Sequence, residues 1–412
     1  MRGTTPPEHA GTIIIGGGQA GSQTAVSLRE AGYTDRIVLI AAEPYLPYQR
    51  PPLSKAFLAG DAQPATLALR GEPAYARHDI EVMVGDAVTA IDAARALVQR
   101  ASGAELSWDH LVLAVGGRPS ELDVPIIDGA TGDLVTSTSS LEGVHLLRTA
   151  DDALALRAAA SKVSRLVAIG GSFIGLEVAA SLSSRGVAAT VLVRGDRLMS
   201  RVVHPYVADI FRRAHLARGV SLEFGAQVTA LVADGRRVAA VQLSDGRRVE
   251  ADCVVVGIGL TADTALAEQI GLVIDRGILV DDAGRTSHPA IYAAGDCATR
   301  LLASGATERT ESVHNAVQQA KAVAAAIVEA APPSKQVPWF WSDQFDLKLQ
   351  TVGDTGHDTD TTVFAGDTPE KLVVEHRRDG VLVGVTAVSS PREFLQYRRE
   401  LDRSHAVVNA QA

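Results

Sequence analysis

The chain has 412 residues, too many for one typical domain, so two or three are expected. Hydrophobic content of 46% with 21% charged residues is ordinary for a globular protein. A net charge of -9 leaves no basic excess to neutralise phosphates, which argues against nucleic acid as a partner.

The N-terminal stretch 1–10 is polar and contains Pro6-Pro7, so it does not read as a signal peptide. No segment approaches the ~20 apolar residues that span a bilayer. The expected place is the cytosol, with no membrane partner.

Residues 12–15 read as a short buried strand. It runs into Gly16-Gly17-Gly18-Gln19-Ala20-Gly21, and residues 20–31 then read as a helix ended by a glycine cap at Gly32. Gly16, Gly18 and Gly21 have the spacing of a dinucleotide fingerprint. The first permits the tight turn, the second lets backbone approach a pyrophosphate, and the third lets helix and strand pack closely. The helix N-terminus offers N–H groups and a partial positive charge to the phosphates. The next strand covers 36–40, and Glu43 beyond it is a candidate for the ribose hydroxyls. A third strand, 111–115, ends in Gly116-Gly117-Arg118-Pro119.

The plan then repeats. Residues 166–169 form a strand, Gly170-Gly171-Ser172-Phe173-Ile174-Gly175 a turn, 174–185 a helix ending at Gly186, and 189–193 the next strand. Both copies are βαβ units, which build parallel sheets with right-handed crossovers. Gly170, Ser172 and Gly175 hold the fingerprint positions, with serine in place of the middle glycine. Its hydroxyl is small and can itself donate to a phosphate. After the second strand, where an acid would take the ribose 2′-OH of NAD, the chain has Arg194-Gly195-Asp196-Arg197. Arginine pairs with a 2′-phosphate through charge-assisted contacts, so Arg194, with Arg197, favours NADPH. NADH, with Arg194 solvated, is the alternative.

Residues 228–232 and 238–243 read as an antiparallel ribbon, and 253–259 as a further buried strand. Residues 291–296, ending in Gly295-Asp296, fit the first domain, which is therefore discontinuous. After Ala331-Pro332-Pro333 the character changes: 372–375 and 382–388 alternate like half-exposed antiparallel strands, and the tail after Pro391 reads as helix. The expected fold class is α/β, with two Rossmann-like dinucleotide-binding domains and a C-terminal α+β domain. The domains fall at 1–120 with 251–330, at 121–250, and at 331–412.

Cys253 and Cys297 are the only cysteines, far apart in sequence. No C-x-x-C or C-x4-C pair exists, so neither a redox dithiol nor a zinc or iron–sulfur site is encoded. Two fingerprints with no dithiol suggest a flavoprotein that takes electrons from a nicotinamide and passes them to an external acceptor.

Several further segments carry a family resemblance. These are Leu46-Pro47-Tyr48-Gln49-Arg50-Pro51-Pro52-Leu53-Ser54-Lys55, Gly175-Leu176-Glu177, Ala294-Gly295-Asp296, Glu311-Ser312-Val313-His314-Asn315-Ala316, and Pro338-Trp339-Phe340-Trp341-Ser342-Asp343-Gln344. Together they resemble the bacterial ferredoxin reductases of the putidaredoxin reductase type, in family order from about residue 11 to 350. The tail matches only in character and position.

The resemblance implies a glutathione-reductase-like architecture: an FAD domain, an inserted NAD(P) domain and a C-terminal domain. It implies that Asp296, after Gly295, binds the ribityl chain of FAD, and that Arg118 lies near the pyrophosphate or ring. Arg50 belongs to the flavin-proximal loop. Lys55 and Glu177 are implied as a buried pair beside the isoalloxazine, the candidate catalytic residues. The helix beginning at Val313 is implied to face the flavin, and Trp341 to cover it. His314 stands where related sequences often have Gln, and packing is its favoured role. Arginines of the last domain (Arg377, Arg378, Arg398, Arg399, Arg403) are candidates for docking an acidic ferredoxin. Over 331–412, however, acids outnumber bases by 12 to 9, so a basic patch would have to come from folding.

The expected activity is ferredoxin–NAD(P)+ reductase: hydride from NAD(P)H to FAD, then single electrons to a [2Fe–2S] ferredoxin. That ferredoxin would feed a haem-thiolate monooxygenase or a Rieske oxygenase. The alternatives are rubredoxin or dioxygen as acceptor, or a low-turnover redox sensor like apoptosis-inducing factor.

Overall fold

The computed structural model describes residues 7–135, 141–356 and 358–411; the polar residues 1–6 lie outside them. The chain forms two units, one of residues 1–49, 63–118 and 261–336, the other of 50–62, 119–260 and 337–412.

In the first unit, Glu8–Ile15 is central to a largely parallel sheet. Its neighbours run in the order Ile80–Val84, Ile37–Ala41, Glu8–Ile15, Glu105–Leu113. Alternate residues face opposite sides. Ile13, Ile15, Leu111 and Leu113 enter one core with Val38, Ile40 and Ile291, while Ile14, Leu39, Val112 and Tyr292 enter the other. Burial on both faces explains why these strands read as continuous apolar runs. The second core is closed by the helices Gln19–Glu30 and Val313–Ile327 through Val26, Leu28, Val323 and Ile327.

The third strand is longer than the expected 111–115 because it has two sets of partners. Its first residues pair antiparallel with Leu97–Arg100, and its last pair parallel with Ile291–Ala293. The latter contact is what returns the chain to this unit.

The second unit repeats the order. Its parallel sheet runs Ser221–Phe224, Ala188–Val193, Arg165–Ile169, Cys253–Val256, Val144–His145. The ribbon is present as Val228–Asp234 and Arg237–Leu243. Cys253–Val256 is hydrogen-bonded to Arg165–Ile169, so this unit extends to Leu260, beyond the boundary expected at 250.

Residues 50–62, expected in the first domain, pack with the second unit instead. Arg157 Nη1 donates to the carbonyls of Phe57, Gly60 and Ala62 (3.3, 3.0 and 2.9 Å), and Arg185 Nη1 to that of Ala59 (2.8 Å).

The C-terminal part is an antiparallel sheet in the order Trp339–Gln344, Leu347–Gly353, Val381–Val388, Leu372–Arg378, Asp360–Ala365. The helix Pro391–Gln411 covers one face through Phe394 and Leu401, which pack on Val352, Val373, Val385 and Ala387. Residues 372–376 are buried throughout rather than half-exposed.

Candidate functional site

The two glycine turns have the same backbone. Gly16 and Gly170 take φ of +122° and +120°, in the left-handed region that disfavours other residues. A Cβ on Gly16 would lie 2.2 Å from Ala114 O, and one on Gly170 2.3 Å from Gly257 O. The third glycines match as well: a Cβ on Gly21 would stand 2.0 Å from Gly16 O, and one on Gly175 2.2 Å from Gly170 O. The middle position differs, since a Cβ on Gly18 would meet nothing within 4 Å. Gly18 and Ser172 are the N-caps of their helices, and neither supplies a side-chain cap. The first-turn N–H groups of both helices are thus left to a ligand, with no acid beside them. The fold demands the outer glycines; the open space over the middle position is what a pyrophosphate would fill.

Beyond the next strand of each unit the charges are opposite in sign. Glu43, half-buried, accepts from the Tyr48 hydroxyl at 2.5 Å, a contact that orients its carboxylate. In the second unit Arg194, directly after Val193 and one position earlier in the strand register, is exposed. Arg197 is half-buried and turned into its own loop, where Nη2 donates to Ser200 O (3.0 Å). Of the two expected arginines, Arg194 is the one presented to solvent.

Elsewhere in the first unit, Gly295 takes φ +84° and its N–H donates to Gln319 Oε1 at 2.7 Å, which fixes the turn that carries Asp296. The Asp296 side chain is half-buried, and Arg309 Nη1 donates to its backbone carbonyl (3.2 Å). Arg118 is largely exposed and forms a two-point contact with Asp263, with N···O distances of 3.1 and 3.0 Å. Val313 is the first residue of its helix, and the Ser312 hydroxyl caps it by accepting from Asn315 N (3.0 Å). His314 is buried, its Nε2 3.4 Å from Gln336 Oε1.

In the second unit the structure brings Lys55 and Glu177 together. Lys55 Nζ lies 2.7 Å from Glu177 Oε2, and Glu177 is 2% exposed. A buried carboxylate needs several donors. Here the hydroxyls of Ser54 and Ser342 supply them, to Oε2 and Oε1 respectively, each at 2.5 Å. Lys55 Nζ also donates to Pro51 O at 3.2 Å, which anchors the ammonium in its own loop. Arg50 Nη1 donates to Arg148 O at 2.6 Å. Trp341 is half-buried and stacks on Trp339, ring centroids 5.2 Å apart; Arg398 lies over Trp339 at 4.8 Å.

Both cysteines are unpaired and buried. Burial pushes the Cys253 thiol up to about 12 and the Cys297 thiol up to about 11. Neither is a thiolate at neutral pH, so neither can act as a redox nucleophile. Among the described residues no cluster of side chains fits a metal ion.

Sequence reasoning missed the partners that hold the predicted residues: Ser54 and Ser342 on Glu177, Asp263 on Arg118, Gln319 on Gly295. These contacts join distant parts of the chain, so spacing carries no trace of them. For Ser342 there was a signal, since residues 340, 342 and 344 share one face of a strand.

Two like turns, each opening a helix on a parallel sheet, define an oxidoreductase of two dinucleotides. The residues fit FAD at the first turn: open space over Gly18, uncapped N–H groups, and Glu43 at the strand end. The chain belongs to the pyridine nucleotide-disulphide oxidoreductase family, which matches residues 11–320, and a reductase C-terminal domain matches residues 339–412. It is 40% identical to a probable ferredoxin reductase, CtmF, of Castellaniella defragrans, over 93% of this chain and 91% of that one. Among solved structures it is similar to a ferredoxin reductase from Rhodopseudomonas palustris, with 40% identity, a TM-score of 0.84, and 92% and 90% of the two chains covered. It is similar also to the reductase in the covalent putidaredoxin reductase–putidaredoxin complex, with 35% identity, a TM-score of 0.85, and 96% and 93% covered.

Proposed function

We infer that this chain is an FAD-dependent NAD(P)H:ferredoxin oxidoreductase that supplies electrons to an oxygenase through a [2Fe–2S] ferredoxin. The observation that carries this reading is the pair of equivalent turns in a chain whose two thiols are both buried and protonated. Disulfide reductases of the same family store electrons in a cysteine pair; a chain without a reactive pair must deliver them directly. The relatives named ferredoxin reductase support the same acceptor.

When bound, FAD would supply the redox chemistry of a two-electron acceptor that can deliver electrons one at a time. No protein acid or base is required for the transfer, so the chain contributes geometry and electrostatics. Gly16, Gly18 and Gly21 would admit the FAD pyrophosphate to the helix N-terminus, Glu43 would take ribose hydroxyls, and Asp296 would take the ribityl chain. Gly170, Ser172 and Gly175 do the same for the transient nicotinamide dinucleotide. Lys55 would place a cation where negative charge arrives with the hydride, and Glu177 holds that cation in place. The N-terminus at Val313 adds a second source of positive potential. Trp341, Arg50 and Arg118 are further residues that would hold the flavin, as the family resemblance implies.

Arg194, exposed at the strand end, reads a 2′-phosphate, which makes NADPH the preferred donor. The cytoplasm is the fitting compartment for a chain with two unpaired thiols. Among the described residues no helix is long and apolar enough to cross a membrane. Steady-state rates with NADPH and NADH, each paired with a plant-type and a bacterial-type ferredoxin, test the reading. Ferredoxin-dependent cytochrome c reduction supports it, and peroxide formation indifferent to ferredoxin contradicts it.

A further inference from the structure

The strand Trp339–Gln344 has two faces that do different work. Trp339 packs beside Phe394 of the C-terminal helix, with Trp341 stacked on it. The other face carries Phe340, Ser342 and Gln344. Phe340 meets Phe173 with ring centroids 4.6 Å apart, Ser342 donates to Glu177, and Gln344 Oε1 lies 3.0 Å from His215 Nε2. Phe173 and Glu177 stand four residues apart on one helix, hence on one of its faces. Four helical residues rise about 6 Å and two strand residues about 6.6 Å, so the two contacts stay in step.

The polar contacts form a chain with one direction. A carboxylate only accepts, so the Ser342 hydrogen is committed to Glu177 Oε1. Ser342 Oγ then accepts from Gln344 Nε2 at 3.3 Å. That orientation turns Gln344 Oε1 towards His215, whose Nε2 must carry the hydrogen. Burial lowers the pKa of His215, and its Nδ1 is buried with no partner, both of which suit a neutral ring protonated at Nε2. Ser342, Gln344 and His215 are each no more than 1% exposed, so water does not compete. Donors aligned head to tail polarise one another.

We propose that Ser342 is a positioning residue for the Lys55–Glu177 pair, holding the Glu177 carboxylate through a one-directional hydrogen-bond chain anchored at His215. The chain fixes the carboxylate and, through it, the place of the Lys55 ammonium. The inference rests on the reading of Lys55 and Glu177 as the pair beside the flavin. A glutamate carboxylate rotates easily about its last torsion. Without the donor on Oε1, the carboxylate turns and becomes more negative towards its surroundings, and the ammonium follows it.

The test uses the flavin-loaded protein and two readouts: the midpoint potential of bound FAD, and the rate constant for flavin bleaching on mixing with NADPH or NADH. Ser342→Ala makes the potential more negative. It slows bleaching about ten-fold while the nicotinamide Kd stays within about two-fold of wild type. In a Glu177→Gln background the same change leaves the potential in place and alters the bleaching rate by no more than about two-fold, because the carboxylate charge that Ser342 orients is gone. If Ser342→Ala does not fold, the volume-conserving Gln344→Met carries the same expectations at smaller size. The proposal is overturned if Lys55→Met and Glu177→Gln shift both readouts while Ser342→Ala and Gln344→Met shift neither. It is also overturned if the Ser342→Ala effects persist in the Glu177→Gln background. If Lys55→Met and Glu177→Gln themselves leave both readouts at wild type, the reading of the pair falls, and the positioning role falls with it.

Discussion

Gly18 and Ser172 hold the same backbone, φ/ψ of -93°/-167° and -100°/-167°, at the N-caps of equivalent helices in different units. Neither conformation lies in the region that requires glycine, so the backbone alone does not account for glycine at one position and serine at the other. The outer glycines have a different role, because their neighbours forbid a Cβ outright.

The two kinds of glycine should therefore fail differently. In flavin-free protein, Gly18→Ala leaves the thermal midpoint unchanged and weakens FAD binding. Gly16→Ala forces a side chain into a φ of +122° and against Ala114 O, and destabilises the fold by at least about 1–3 kcal/mol. Thermal melts of the stripped protein, beside a fluorescence titration with FAD, separate the cases. A Gly18→Ala protein that melts well below wild type would contradict this division.

The proposed preference for NADPH rests on Arg194. Arg194→Glu should lower kcat/KM for NADPH roughly ten- to a hundred-fold while changing that for NADH far less. Arg194 is exposed, whereas Arg197 is engaged with Ser200 O. A wild-type enzyme that already strongly prefers NADH would sink the assignment.

Stability should fall on the acid side of neutrality. Burial lowers the pKa of His215, His145 and His110 below the ordinary 6.5, and each has a buried ring nitrogen without a partner. Once unfolded, these rings take up protons near pH 6.5, so below that value the unfolded chain binds more protons than the folded one. Stability from these groups is complete above pH 6.5 and is lost as pH drops towards their folded pKa values. The urea midpoint should hold steady from about pH 8 to 7 and decline from about pH 6.5 to 5. His215→Gln should flatten that decline; an unchanged slope in this variant and in matching variants of His145 and His110 would contradict the assignment.

The thiols should be silent. With Cys253 pushed up to about 12 and Cys297 to about 11, the native protein should resist iodoacetamide at pH 8 and keep its activity. Both cysteines should alkylate once the chain is unfolded in urea. Rapid modification of native protein with loss of turnover would point to a thiol role in catalysis.

The sequence was most legible where local rules decide the outcome. The glycine turns, their helices and the apolar strands follow from the steric needs of Gly16, Gly170 and their neighbours. Unit boundaries were less legible: residues 50–62 join the second unit through Arg157 and Arg185, side chains far along the chain. The strand Glu105–Leu113 was read short because its first half is polar and alternating, stabilised by an antiparallel partner that no local pattern announces. The Lys55–Glu177 pair was reached by resemblance, yet its support from Ser54 left no trace in the sequence, and that from Ser342 left only the alternation of its strand. A hydroxyl that satisfies a buried carboxylate looks, in sequence, like any other serine.

The most direct test of the function is the anaerobic stoichiometry of electron delivery from NAD(P)H to a [2Fe–2S] ferredoxin. A catalytic amount of the flavin-loaded protein should reduce two ferredoxins for each nicotinamide oxidised, at a rate that saturates with ferredoxin. Oxidation of nicotinamide without ferredoxin reduction, or a long-lived charge-transfer complex with no turnover, would contradict it.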